Sequence, residues 1–341
     1  MFARATEDGS VLPDARTLLR DIAAYAKPVA ARSVLELVIT AVPFLLLMAL
    51  MWWAVSSGYW LGLLLALPAG AFLVRLFMVQ HDCSHGSFFR RRAANDWVGR
   101  VLGVLTLTPY DCWRRTHAVH HARNGNLDSR GMGDVETLTV REFRERSAWQ
   151  RFRYRLYRHP VVMFGLGPAF LFLIHHRLPV GLMRSGWGPW VSVMATNAVI
   201  AIVVAAVLYL GAVEVLLIYL PVMLVAATAG VWLFYVQHQF EETMWERDGE
   251  WTFHEAALRG SSHYDLPAVL RWFTANIGIH HVHHLASRIP CYRLGEVLRD
   301  RPELRQVGRL TLRDSLRTVR LALWDEDKKR LVTFRDAKAA S

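Results

Sequence analysis

The stretch Val215–His238, "VLLIYLPVMLVAATAGVWLFYVQH", decides how the chain must be read. From Val215 to Val236 it carries no charge, and its length matches the ~20 residues that cross a bilayer as a helix. It then runs into a glutamine and a histidine. Three more blocks have the same character: Val34–Val55, Trp60–Gln80 and Val191–Leu210. Four blocks of membrane length argue against buried helices of a soluble core. Glu36 and Pro43 interrupt the first block and Arg75 lies near the end of the second. Such residues are tolerated near span ends or against neighbouring helices. The fold class expected is an all-α integral membrane protein with four transmembrane helices, forming one membrane domain over residues 1–341.

The connections set the topology. Ser56–Tyr59 and Gly211–Glu214 carry no Lys or Arg, whereas 39 of the 40 basic residues lie before the first span, between the second and third, or after the fourth. The positive-inside rule then puts residues 1–33, 81–190 and 237–341, with both termini, on the cytoplasmic side. Trp52, Trp53, Tyr59 and Trp60 form an aromatic belt at the far interface. The net charge of +11 reflects this topology and suits an anionic lipid surface. No nucleic-acid module accompanies it, so no nucleic-acid partner is expected. The stretch "MFARATEDGSVLPDAR" lacks an apolar core with a cleavage site and does not read as a signal peptide. Trp97–Pro109 and Val161–Ile174 are too short to span and read as interfacial or re-entrant helices. Leu312, Leu316, Val319 and Leu323, with arginines between them, have the spacing of an amphipathic helix. Cys83, Cys112 and Cys291 form no C-x-x-C pair and receive no metal or disulfide role.

The histidines carry the chemistry. The chain has 15, most of them clustered. "HDCSH" sets His81 and His85 at i and i+4. "HAVHH" sets His117, His120 and His121 at i, i+3 and i+4, and "HHVHH" repeats that spacing as His280, His283 and His284. On a helix turning ~100° per residue these fall in one narrow arc, so each set acts together. His281 lies at the edge of its arc and reads as an orienting or packing residue. His81 directly follows the second span, and His238 follows the fourth in the same way, so a ninth imidazole can join the group. His159, His175, His176, His254 and His263 read as structural.

Neutral imidazole binds Fe, Zn, Cu and Ni. Eight ligands are too many for one ion and suit two. Zinc takes four ligands, or three in a catalytic site. The zincin pattern fails in "HEAAL" for want of its second histidine, and no Glu-x-x-His pair of the soluble di-iron bundles occurs. A haem needs one or two histidines. A histidine-rich dinuclear site at a membrane surface remains, and iron fits it, because dioxygen chemistry is the usual reason to build one.

Here the residues resemble a known family. "HDCSHGSF", "HAVHHARNGNLDSRGMGDVETLTV", "FYVQHQFEETMW" and "NIGIHHVHHLASRIPCYRL", in this order and between these spans, are similar to the integral-membrane fatty acid desaturases of the acyl-lipid type. The resemblance runs from about Phe77 to Leu294. It implies two non-haem irons held by His81, His85, His117, His120, His121, His280, His283 and His284, with His238 as the extra ligand. It implies a lipid-linked acyl substrate, dioxygen, and a cis double bond as product. The metal cap would face the cytoplasm at a bacterial inner membrane. The chain departs from the acyl-CoA branch at Phe234, where that branch has an asparagine that helps hold water. Asn276 is a candidate substitute, and an N-cap or packing role is its competitor. Asp82 is placed to hold an imidazole N–H. Arg114, Arg115 and Arg123 flank the second histidine box and would meet a lipid headgroup, an acidic electron carrier or water. Front-end desaturases open the third box with Gln and carry a haem domain with an His-Pro-Gly-Gly motif. This chain opens it with His280 and lacks the motif, so a separate electron donor such as a ferredoxin is expected. The alternatives are a lipid or carotenoid hydroxylase or ketolase with the same boxes, and a non-catalytic metal-binding receptor or transporter.

Overall fold

The computed structural model describes residues 15–339, so the N-terminal stretch judged above for a signal peptide lies almost wholly outside the described residues. Four helices are long and apolar enough to cross a membrane: Ala30–Ser56, Trp60–His85, Trp187–Tyr209 and Glu214–His238. Pro43 and Pro221 sit inside the first and fourth without ending them. The second opens as a tight turn, Trp60–Leu65, and continues as an α-helix through Ala66–His85. It outruns its apolar block because nothing from Gln80 to His85 breaks a helix. Gly86 ends it, with φ +67 and its N–H on the Cys83 carbonyl at 3.0 Å. Left-handed backbone of this kind favours glycine and closes helices. The first histidine box therefore rides on the last turns of the second helix, and His238 is the last residue of the fourth.

The second and fourth helices pack directly on each other. At Gly70 an added Cβ would lie 2.5 Å from Val225 Cγ1 and 3.2 Å from the Val222 carbonyl oxygen. Glycine lets the two backbones approach, as small residues do between membrane helices. Glu36 and Arg75, the two charges inside the apolar blocks, are buried and ion-paired with each other. Arg75 also donates to Thr40 Oγ1 at 3.1 Å and to the Trp272 carbonyl, and its guanidinium lies 4.1 Å from the Trp272 ring centroid. With Arg32 on the other Glu36 oxygen at 2.7 Å, the pair is compensated, and it ties the first two helices to the segment that leads into the third box.

Between the second and third helices, Arg92–Leu105 covers most of the first short apolar stretch, and Leu107 turns the chain with φ +53. The second box lies on Tyr110–Arg123. The other short stretch forms a π-turn, Val162–Leu166, and a short helix, Gly167–Leu173, bent by 58° from the helix Ala148–Tyr157.

The all-α expectation needs two corrections. Leu138–Thr139 pairs in parallel with Leu321–Asp325, which pairs antiparallel with Arg330–Thr333. His263–Asp265 pairs in parallel with Arg309–Thr311. The amphipathic helix expected to run to Leu323 stops at Thr318. Beyond it Ala322, Leu323 and Trp324 are buried consecutively. That pattern suits a strand covered on both faces rather than one stripe of a helix.

Candidate metal centre

Nine histidines converge where the second and fourth helices end. His81, His85, His117, His121 and His283 form one group, and His120, His238, His280 and His284 form another. Within each group the candidate ligand atoms lie within 4.8 Å of one another, and among the described residues no other such group occurs. These nine are the residues the sequence singled out. Their division differs from the reading that each H-x-x-H-H acts as a unit. His117 and His121 face one group and His120 the other; His280 and His284 face one and His283 the other. At ~100° per residue, i+4 falls about 40° to one side of i and i+3 about 60° to the other. Each box therefore gives its i, i+4 pair to one group and its i+3 ring to the neighbouring one.

The rings meet through Nε2. In the first group His117 Nε2 lies 3.1 Å from those of His85 and His121, and His283 Nε2 lies 3.2 Å from that of His121. In the second, His238 Nε2 lies 3.2 Å from His120 Nε2 and 3.0 Å from His280 Nε2, and His284 Nε2 lies 3.1 Å from that of His280. The Nδ1 atoms explain the choice. His120 Nδ1 is 2.6 Å from Asp134 Oδ1, and His238 Nδ1 is 3.0 Å from the Gly260 carbonyl. An acceptor at Nδ1 fixes the proton there. The Nε2 lone pairs of His120 and His238 then face each other at hydrogen-bond distance with no proton between them, an arrangement that a cation relieves. The residues present fit a metal, and His120 and His238 have the outer partners that metal-binding histidines use. Burial, reinforced by the neighbouring imidazoles, holds His117, His121, His280, His283 and His284 well below the usual histidine value. They are neutral at pH 7, the form that binds metal.

Asp134 was not legible as a site residue. It follows Gly131 and Gly133, in a loop without periodicity, and at Gly133 an added Cβ would come within 3.3 Å of the His120 Cβ. Asp82 lies beside the His81 ring and has a further task. Its Oδ2 accepts the Cys291 N–H at 2.7 Å, while Oδ1 stands 3.5 Å from His81 Nδ1. It braces the first box against the helix after the third. Asn276 joins neither group; its amide donates to the Cys291 carbonyl at 3.0 Å and its backbone is left-handed, φ +58. That contact gives Asn276 the packing role that competes with water-holding. The Phe234 ring packs 5.1 Å from His120 and 5.2 Å from His238, so this position supplies packing and no ligand. His281 points away from the centre and reaches the Leu304 carbonyl at 2.9 Å. The third box is seated by Ser262, whose carbonyl accepts from the His280 and His281 N–H groups, and by Gln237, which donates to the Ile277 carbonyl.

A cavity of about 780 Å³ opens from the centre into the helical bundle. His81, His117 and His280 line it at the metal end. Leu73 and Val74 of the second helix and Met223, Ala226 and Gly230 of the fourth line it elsewhere. Its wall is mostly apolar, which suits a hydrocarbon chain.

Membrane helices ending in a polyhistidine centre that opens to an apolar cavity define a class of protein that brings metal chemistry to a lipid chain. The family model described as fatty acid desaturase matches residues 58–313. The chain is 42% identical over 325 residues to the fatty acid desaturase of Bacillus subtilis, covering 95% of this chain and 92% of that protein. It is 30% identical to the sn-1 acyl-lipid omega-3 desaturase (ferredoxin) of Synechocystis sp., over 66% of this chain and 63% of that one. It is 27% identical to the sn-1 oleoyl-lipid 12-desaturase of Anabaena variabilis, over 71% and 69%. The chain belongs to the fatty acid desaturase family. It is a membrane oxidoreductase, and neither the hydroxylase nor the receptor reading is favoured.

Proposed function

We propose that the chain introduces a cis double bond into a lipid-linked acyl chain, at a centre of two non-haem irons held by the nine histidines. The observation that carries this reading is the contact between the two-part histidine cluster and the apolar cavity, through His81, His117 and His280. The reaction removes two hydrogens from neighbouring carbons. With dioxygen, two electrons and two protons it yields an alkene and two waters. Bound iron would supply the oxidant that an unactivated methylene C–H requires and that no side-chain acid or base can provide.

The chain's own residues do the placing. The cavity wall holds the acyl chain so that chosen carbons meet the His81, His117 and His280 end. Asp134 and the Gly260 carbonyl keep His120 and His238 protonated at Nδ1, leaving Nε2 as ligand atoms. Phe234 keeps water from the rings it covers.

The basic loops support a cytoplasmic centre and cytoplasmic termini at a bacterial inner membrane. Exposed Trp97 and Val101, and exposed Leu166 and Phe170, support interfacial seats for the two short apolar helices. The electron donor is a separate protein; a relative's name includes ferredoxin.

Expression in a bacterium that makes only saturated lipids, followed by mass spectrometry of its fatty acids, tests the proposal. A new unsaturated chain, absent with His120→Ala, is the expected result. An added oxygen without an alkene contradicts it.

A further inference from the structure

The first residue of the third box and the residue before it face two different cavities. His280 lines the apolar one; Ile279 lines another, of about 1010 Å³, whose wall is polar and rich in arginine. Arg32, Arg271, Arg293, Arg299, Arg305 and Arg309 line this second cavity, against two carboxylates, Asp265 and Glu296. Those carboxylates are taken: Arg309 pairs with Asp265 at 2.7 Å and Arg293 with Glu296 at 2.9 Å. Arg271 and Arg305 are exposed, and among the described residues neither pairs with a carboxylate. His263 also lines the cavity, and its ring lies 5.6 Å from that of His281, the neighbour of His280. Of the arginines flanking the second box, Arg115 and Arg123 are also exposed and line neither cavity, and Arg114 is compensated. Arg114 is held by Asp96 at 2.8 Å, and Asp111 is taken by Arg100 at 2.8 Å.

We propose that the arginine-lined cavity beside Ile279 is the docking site of an acidic one-electron carrier protein. The inference rests on the desaturase reading above. The carrier's carboxylates meet Arg271 and Arg305, which pair with no carboxylate among the described residues, whereas Arg299 is paired with Asp300 at 3.5 Å; its redox group comes to rest beside His263 and Ile279. These are the cavity-wall groups that lead straight into the third box. Each encounter oxidises the carrier by one electron and reduces the enzyme's centre by one, so one turnover takes two encounters. Substrate enters from the apolar side of His280 and electrons from the polar side, so neither blocks the other. Uncompensated positive charge speeds such encounters and selects an acidic partner.

The test measures binding of an oxidised, fluorescently labelled acidic ferredoxin to the iron-loaded enzyme in nanodiscs of zwitterionic lipid. Arg271→Glu with Arg305→Glu is expected to weaken binding at least about tenfold at low salt, with the difference closing as salt rises. Arg313→Glu with Arg317→Glu, which changes net charge equally away from the cavity, is expected to bind like wild type. Iron content equal to wild type shows that each variant is folded; if the reversed pair does not fold, Arg271→Gln alone is used, with a smaller loss of affinity expected. Undiminished binding by the cavity variants overturns the proposal. So does a loss of affinity that appears only in anionic-lipid discs, which would assign the cavity to lipid headgroups. Absence of an alkene product while ferredoxin binding persists would instead count against the desaturase reading.

Discussion

His120 Nδ1 stands 2.6 Å from Asp134 Oδ1, and both side chains are almost fully buried. That contact fixes which nitrogen of His120 can face the second histidine group. Asp134→Ala is expected to weaken metal binding about 10–100-fold, as loss of such outer partners does. Asp134→Asn, which still offers an accepting oxygen, should fall between the variant and wild type. Chelator competition on the purified protein measures both. Equal metal affinity in all three would show that the contact has no part in holding the ring.

His281 and His283 sit two positions apart on the same short helix and separate structure from ligation. His283→Ala should lower bound metal. His281→Leu should leave the metal content intact and cost about 1–3 kcal/mol of stability, because the buried Leu304 carbonyl loses its donor. Metal analysis and thermal unfolding of the two variants make the comparison.

The histidine boxes were legible because their spacing is local and because they lie directly against the membrane blocks. The division into two groups was legible only in part. The i, i+3, i+4 arc predicts one face, but whether His120 parts from His117 depends on where His238 arrives, which is set by the packing of the second and fourth helices at Gly70. Asp134 was hidden for a related reason: nothing in "RGMGD" announces which ring it meets. The four spans were readable from apolar length alone. The strand Leu321–Asp325 was not, since its partners come from about 180 residues earlier, by chain numbering, as well as from just after it.

Gly230 lines the acyl cavity, and an added Cβ there would meet no heavy atom within 4 Å. It precedes His238 by eight residues, or about 12 Å along the helix. Gly230→Leu should fill space reserved for the part of the chain remote from the reacting carbons. Assayed on a homologous series of saturated acyl chains, it should favour shorter over longer chains by about tenfold or more relative to wild type. Gly165→Leu, at an equally open position that does not line the cavity, should leave the profile unchanged.

Arg75→Leu leaves the buried Glu36 half stranded, with only the largely exposed Arg32 at 2.7 Å to pair it, and should destabilise the protein by up to about 3–5 kcal/mol. Glu36→Leu with Arg75→Leu should recover much of this, because the stranded charge is then gone. Thermal unfolding in detergent reads the cycle; a double variant no better than Arg75→Leu would mean that the Trp272 contact, rather than the ion pair, is what matters.

Two adjacent sets of imidazoles are expected to hold two irons. Iron quantified per polypeptide in protein purified after expression with abundant iron tests it most directly. Two irons per chain are expected, falling in the His283→Ala and His238→Ala variants. A fully loaded protein that holds one iron, or none, contradicts it.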